Sequence, residues 1–178
     1  MSSLPWSQEQ VVAPGIDNVW VALDYESPVD QLILGGKFSQ KLSNLSLLAQ
    51  LFIGYWHSQS ILLPEVIIPV PLHAQRLRER GYNQALELAK IIGRTLQVPV
   101  DFSSVKRSKA TQAQASLPAR LRSKNIRDAF ELTKPVVYSR VALVDDVFTT
   151  GNTVRELSQL LRAANVEHID VYCIARAA

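Results

Sequence analysis

The segment VALVDDVFTTGNT, residues 141–153, carries the strongest indication of the fold and locates a candidate site. It begins as an apolar run typical of a buried strand, and two adjacent carboxylates, Asp145 and Asp146, end that run. A polar loop follows, and VRELSQLLRAA then has the apolar spacing of a helix. Because ligands of open α/β sheets bind beyond the carboxyl ends of the strands, the acids and the loop are expected at such a site.

The loop after the acids has the composition of a phosphate-binding turn. Its residues are Val147, Phe148, Thr149, Thr150, Gly151, Asn152 and Thr153. Backbone N–H groups, hydroxyls and a helix N-terminus favour a phosphate, and Gly151 lets the backbone approach closely. Carboxylates accept hydrogen bonds from vicinal sugar hydroxyls, so the segment predicts a sugar-phosphate site. The alternative is a solvated turn in which Thr149 or Thr153 only caps the helix.

Outward from this segment, predicted strands and helices alternate along the chain. Strands are predicted at 19–25, 65–72, 98–102, 129–132, 140–147 and 168–177, and helices at 29–38, 41–58, 83–97 and 153–165. Several of the strands are almost wholly apolar, as in a sheet covered on both faces. The alternation predicts an α/β fold with a parallel sheet. HAQRLRERGY (73–82) is interpreted as a basic turn, in which His73 is a local hydrogen-bonding residue rather than a base.

Composition limits the classes of protein and of site. With 178 residues, 47% of them hydrophobic and 20% charged, the chain is predicted to form one globular domain, with or without an added lobe. Cys173 is the one cysteine, which excludes an internal disulfide and a cysteine-based zinc site, and we interpret it as a small buried hydrophobe. The most apolar stretch, 45–56, falls short of the roughly 20 residues that span a bilayer. No membrane span and a cytoplasmic location are therefore expected.

The charge is distributed unevenly. Residues 73–127 hold twelve of the nineteen Lys/Arg and three of the sixteen Asp/Glu, a net charge of +9. The remainder holds seven basic and thirteen acidic residues, a net charge of −6. This asymmetry predicts an anionic ligand near the central segment. Phosphates and nucleic acid both meet that description.

Two motifs resemble known families. VALVDDVFTTGNT resembles the signature by which type I phosphoribosyltransferases bind 5-phosphoribosyl-1-pyrophosphate (PRPP). IPVPLHAQRLRERGYNQALELA (68–89) is similar to the ComF family, with its P-V-P-L-H, a spaced arginine, R-G-[FY]-N-Q and L-A. Gln114, Arg120 and residues 125–130 match a further segment of that family, and 21–38 resembles its opening strand and helix.

The resemblance covers about residues 19–176 and implies a domain organisation. A type I phosphoribosyltransferase (Rossmann-like) fold with a parallel sheet, a small N-terminal hood and a flexible basic flap at about 104–127 is expected over 19–178. Residues 1–18 are an N-terminal extension without a zinc ribbon. Many ComF proteins begin with a four-cysteine ribbon, so either it has been lost here or this start lies downstream of it.

The resemblance also implies roles for individual residues in Mg²⁺-dependent transfer of a phosphoribosyl group from PRPP to an unknown acceptor. Asp145 and Asp146 are the catalytic acids on the ribose hydroxyls, and the loop 147–153 binds the 5-phosphate. Mg²⁺ arrives with the ligand and these two acids are its candidate protein ligands, so no dedicated cage is expected.

Pyrophosphate binding is assigned to two segments. The first contributes Arg76, Arg80, Gly81 and Asn83. The alternative interpretation of RLRER is a solvated helix face. Lys106 and Arg107 are expected to reach the pyrophosphate when the flap closes, as lids do.

A second hypothesis is a PRPP sensor without turnover that binds single-stranded nucleic acid through its basic segment. Its cations are Arg120, Arg122, Lys124 and Arg127. Residues 103–127 contain no aromatic side chain on which bases could stack. The resemblance further implies a link to DNA uptake in natural competence, with single-stranded DNA and competence-machinery proteins as partners. The oligomeric state stays open, with a dimer as one alternative.

Overall fold

The computed structural model describes residues 14–38, 42–109 and 129–177, which fold around a parallel sheet. The strands are β1 (Asn18–Asp24), β2 (Val66–Pro69), β3 (Val105–Arg107), β4 (Phe130–Leu132), β5 (Arg140–Phe148) and β6 (His168–Arg176). The helices are α1 (Val29–Phe38), α2 (Leu42–Ser58), α3 (Ala74–Arg80), α4 (Gln84–Leu96) and α5 (Asn152–Ala163). The main sheet has the order β1-β6-β5-β2 with every pair parallel, which confirms the predicted sheet.

The sheet places β5 between two neighbours. β5 pairs with β6 on one side and with β2 on the other, so that Val144 lies opposite both Tyr172 and Pro69. The predicted strand 98–102 shortens to a single parallel bridge between Ile67 and Val100. β2 ends at Pro69, as expected, because proline cannot donate to a ladder.

Two hydrophobic layers cover the faces of the sheet. α5 and the β3–β4 pair pack with Val141 and Leu143 of β5 on one face, and α2 and α4 pack with Ala142 and Val144 on the other. This alternation explains the uninterrupted apolar run, because both faces of β5 are buried. The region predicted as a hood includes α1 and α2. Residues 1–13 lie outside the described ranges.

Two predicted loops are regular structure instead. HAQRLRERGY contains α3, which His73 caps by accepting a hydrogen bond from the Gln75 N–H at Nδ1 (3.3 Å) and which Gly81 ends at φ 85°. The interpretation of His73 as a local hydrogen-bonding residue is thereby confirmed. The predicted flap begins with β3, which pairs antiparallel with β4. The loop prediction missed β3 because its partner lies more than twenty residues further along the chain.

Cys173 is 1% exposed in the centre of β6, which confirms its interpretation as a buried hydrophobe. Among the described residues, no helix combines the length and apolarity needed to cross a bilayer.

Candidate active site

The acid pair belongs to the last part of β5. Asp145 lies opposite Cys173 of β6, and the strand continues to Phe148, so the acids are held in a ladder rather than in a turn. Asp145 Oδ1 accepts the Asp146 N–H and Asp146 Oδ1 accepts the Val147 N–H, each at 2.9 Å. Both acids are partly exposed. Because successive side chains of a strand point to opposite faces, the two carboxylates face different surroundings.

Asp145 and the following loop line a small pocket. Its lining residues are Asp145, Val147, Phe148, Thr149, Gly151, Asn152, Thr153 and Val154. Asp146 and Thr150 of the predicted set are not among them. The chain therefore brings one acid, the threonine hydroxyls at 149 and 153 and the start of α5 around one space. The hydroxyls and the helix start suit a phosphate, whereas the carboxylate suits a neighbouring hydroxyl group.

Gly151 is needed for two reasons. It has φ 69°, the left-handed region that favours glycine, and it occupies the cap position of α5, with no side-chain cap hydrogen bond. Neither Thr149 nor Thr153 holds that position. A Cβ at residue 151 would lie 2.7 Å from Phe148 Cζ, so the crowding that excludes a side chain comes from Phe148.

A second part of the site follows β2. Arg76 and Arg80 are partly buried, whereas Arg78 of the same helix is exposed, so RLRER is only in part a solvated face. Asn83 caps α4 by accepting the Ala85 N–H (3.1 Å) and donates from Nδ2 to the Val70 carbonyl (3.0 Å). These bonds engage the predicted pyrophosphate residue Asn83 in holding α4 to the end of β2.

Three arginines converge near the acids. Burial lowers the pKa of Arg80, the charge of Arg76 lowers it further, and Asp146 acts in the opposite direction. Burial likewise lowers the pKa of Arg107, Arg76 again adds to the effect, and Asp145 opposes it. Arg76 is therefore within electrostatic range of both other guanidinium groups, which stay charged because arginine does not deprotonate in proteins.

Lys106 and Arg107 differ in their surroundings. Arg107 forms a parallel bridge with His73, next to the start of α3, and its guanidinium carbon lies 5.4 Å from the centre of the Phe130 ring. Lys106 forms an exposed ion pair with Glu131 at 2.8 Å. As neighbours in a strand, the two side chains point to opposite faces, so only Arg107 is associated with the acid pair.

One residue that the sequence reasoning missed is Gln84. It is 2% exposed, and its Oε1 accepts a hydrogen bond from Arg80 Nη1 at 2.7 Å. The available signal was its place in R-G-Y-N-Q, directly after the predicted pyrophosphate residue Asn83.

Other predicted residues cannot be placed. Gln114, Arg120, Arg122, Lys124 and Arg127 lie outside the described residues.

Comparisons with known proteins agree with this architecture. A family model described as "Phosphoribosyl transferase domain" matches residues 82–178. Competence protein F of Haemophilus influenzae is 40% identical over 171 residues, covering 92% of this chain and 75% of that protein. DNA utilization protein YhgH of Escherichia coli K12 is 36% identical over 176 residues, covering 97% of this chain and 73% of that protein. The chain therefore belongs to the ComF family, whose members have the type I phosphoribosyltransferase fold.

Proposed function

We propose that this protein binds PRPP together with Mg²⁺ and transfers its phosphoribosyl group to an acceptor. The observation that carries the proposal is the placement of three arginines at the end of β2, next to β5: Arg76 and Arg80 on α3, and Arg107 through its bridge with His73. All three lie within electrostatic range of one another or of the acid pair. Like charges held close together raise the energy of the unliganded protein, and a polyanion such as a diphosphate would relieve that repulsion. Arginine also suits diphosphate oxygens because its planar fork donates two parallel hydrogen bonds.

The other parts of PRPP fit the remaining residues. The pocket between Asp145 and the start of α5 would take the 5-phosphate, with N–H groups and hydroxyls as donors. The partly exposed carboxylates of Asp145 and Asp146 would accept hydrogen bonds from the ribose hydroxyls.

Mg²⁺ would share these carboxylates. Its preference for oxygen ligands and retained waters fits two acids with substrate oxygens better than an all-protein cage. When bound, the metal would neutralise negative charge on the departing diphosphate.

The experiment that tests the proposal is calorimetry with PRPP and Mg²⁺, followed by a screen for pyrophosphate release with candidate bases and amines. We expect saturable PRPP binding that needs Mg²⁺, and release of pyrophosphate with at least one acceptor. Absence of PRPP binding would overturn the proposal. Binding without release across the screen would favour a sensor over a transferase.

The biological setting that we propose is the handling of incoming DNA. Two relatives are named for competence and for DNA utilization, and they match nearly the whole of this chain. Deletion of the gene is expected to lower the recovery of transformants, or growth on DNA, without affecting growth on rich medium.

A second candidate function is a PRPP sensor that holds single-stranded nucleic acid. The observation that favours it is Phe102, which is 64% exposed just before the basic segment and could stack on a base.

This candidate is tested by changing Arg120, Arg122 and Lys124 together to Gln. Loss of single-strand affinity, with a salt slope smaller by roughly 0.7 per lost phosphate contact and unchanged PRPP binding, would support the sensor. Loss of PRPP binding alone would assign the segment to the catalytic flap.

A further inference from the structure

We propose that Gln84 is a positioning residue that holds Arg80 in the orientation needed for diphosphate binding, an inference that rests on the function proposed above. The hydrogen bond from Arg80 Nη1 to Gln84 Oε1 is 2.7 Å long. The glutamine is 2% exposed, so its side chain is fixed by its surroundings rather than by solvent. A fixed acceptor restricts the rotation of the guanidinium group that it holds.

The backbone connects this pair to the sheet. Arg80 is the last residue of α3 and Gln84 is the first of α4, and Gly81 at φ 85° makes the turn between them. Asn83 ties the start of α4 to the Val70 carbonyl, one residue beyond β2. The position of the Arg80 guanidinium is therefore determined through Gln84 and Asn83 by the end of a sheet strand.

A neutral acceptor is the suitable residue type at this position. Burial and Arg76 already disfavour the charge of Arg80, and Asp146 favours it. A glutamate at residue 84 would pair with Arg80 and cancel the positive charge that a diphosphate needs. The amide of glutamine orients the guanidinium group and leaves its charge, and its remaining N–H donors, for the ligand.

Stability alone does not account for the glutamine. Its Nε2 is buried and has no hydrogen-bond partner among the described residues. A buried donor without a partner is destabilising, and a methionine of similar length would avoid that cost. The arrangement is explained if the Oε1 contact with Arg80 is what the position requires.

The test uses Gln84→Met and Gln84→Glu, each made in the native protein and in the Arg80→Ala variant. Calorimetry with three ligands compares them: PRPP with Mg²⁺, inorganic pyrophosphate with Mg²⁺, and ribose 5-phosphate, which lacks the diphosphate. We expect Gln84→Met to weaken PRPP and pyrophosphate binding about tenfold, the effect of one lost hydrogen bond to a charged group. Gln84→Glu keeps the acceptor but pairs with Arg80, so it should weaken binding of both ligands by cancelling the charge. Ribose 5-phosphate affinity should not change in Gln84→Met, and this substitution should have no effect once Arg80 is alanine. Gln84→Glu should still weaken diphosphate binding in the Arg80→Ala variant, because its added negative charge repels the ligand.

Several outcomes would overturn the inference. A purely structural Gln84 would weaken ribose 5-phosphate binding as well, and its effect would add to that of Arg80→Ala. Unchanged PRPP binding in Gln84→Met contradicts the inference alone, provided that the native protein binds all three ligands. A native protein that binds none of them overturns the proposed function and the inference with it. If Gln84→Met does not fold, Gln84→Asn, whose shorter amide withdraws the acceptor from Arg80 without adding charge, decides by the same comparison of ligands.

Discussion

Charged clusters lie at both ends of the parallel strands, and they are built in opposite ways. We call the end where the strands begin the amino edge of the sheet and the end where they finish the carboxyl edge. At the amino edge, Arg162 Nη2 lies 2.5 Å from Asp17 Oδ2, and its other nitrogens donate to the carbonyls of Gly15 and Val166 at 3.1 Å. Asp170, which is 2% exposed, accepts a hydrogen bond from Asn18 Nδ2 at 2.8 Å. Every cation and anion of this cluster has a partner of opposite charge or a hydrogen bond.

At the carboxyl edge, by contrast, like charges are gathered. Burial lowers the pKa of both Arg80 and Arg107, Arg76 lowers it further, and Asp146 and Asp145 respectively act in the opposite direction. The amino edge thus has the composition of a structural anchor. In the function proposed above, a polyanionic ligand completes the carboxyl edge, and four variants test this division.

The largest effect is expected for Asp145→Asn combined with Asp146→Asn. Removing two charge-assisted interactions should weaken PRPP binding about 1000-fold, because each contributes roughly 2 kcal/mol. Both carboxylates are partly exposed, so the unfolding free energy should change by less than about 1 kcal/mol. Calorimetry and thermal melts measure the two quantities. A double variant that binds PRPP normally contradicts the site, and one that unfolds makes the acids structural.

Gly151→Val should abolish ribose 5-phosphate binding and destabilise the fold by about 3 kcal/mol. The value combines the cost of φ 69° for a residue with a Cβ and the clash with Phe148. Gly54→Ala is the matched control, because a Cβ there meets nothing within 4 Å. It should leave ligand binding unchanged and stabilise α2. Native ribose 5-phosphate affinity in Gly151→Val would show that this loop does not bind the phosphate.

Asp101 extends the comparison to an acid with many internal partners. Burial raises its pKa, but hydrogen bonds from Ser104 and Ser103 outweigh that effect and lower the pKa to about 2. A depressed pKa means that the stabilisation is complete above the usual value of 3.8 and is lost as the pH falls toward 2. The unfolding free energy should therefore drop by about 2 kcal/mol across that interval.

Asp101→Asn should remove this part of the fall in unfolding free energy at low pH. Urea titrations between pH 5 and pH 2 measure that free energy. Asp17 also contributes to the loss of stability in acid, because hydrogen bonds from Ile169 and Arg162 outweigh its desolvation and lower its pKa. If the unfolding free energy of Asp101→Asn falls with pH as steeply as that of the native protein, Asp101 is not its source.

The smallest effect is expected for Arg162→Lys at the amino edge. Lysine keeps the charge beside Asp17 but cannot reproduce the planar fork that also reaches the Gly15 and Val166 carbonyls. We expect a loss of about 1 kcal/mol of unfolding free energy and unchanged PRPP affinity. If Arg162→Lys keeps native stability but binds PRPP more weakly, the amino edge is not purely structural and the distinction between the two edges is wrong.

The predictions from sequence were most successful where the signal was local. The order of strand, acid pair, loop and helix in 141–153 is confirmed, because hydrophobic periodicity reports burial directly. Helix α3 lies in a segment predicted as a turn, because its seven residues carry no buried apolar face. Strand β3 lies in a segment predicted as a loop, because three residues give no usable period and their partner β4 follows a long connection.

The site divides in the same way. The sequence was sufficient to predict which residues lie at the end of β5 and that a glycine stands in the loop before α5, since both depend on neighbours in the chain. The contacts between distant segments came from the tertiary structure alone: Arg107 bridges His73 while Lys106 pairs with Glu131, and Gln84 accepts a hydrogen bond from Arg80. These outcomes depend on strand pairing and on side-chain direction between segments that are far apart in sequence. Such contacts follow from the packing of the whole domain, which no local pattern encodes.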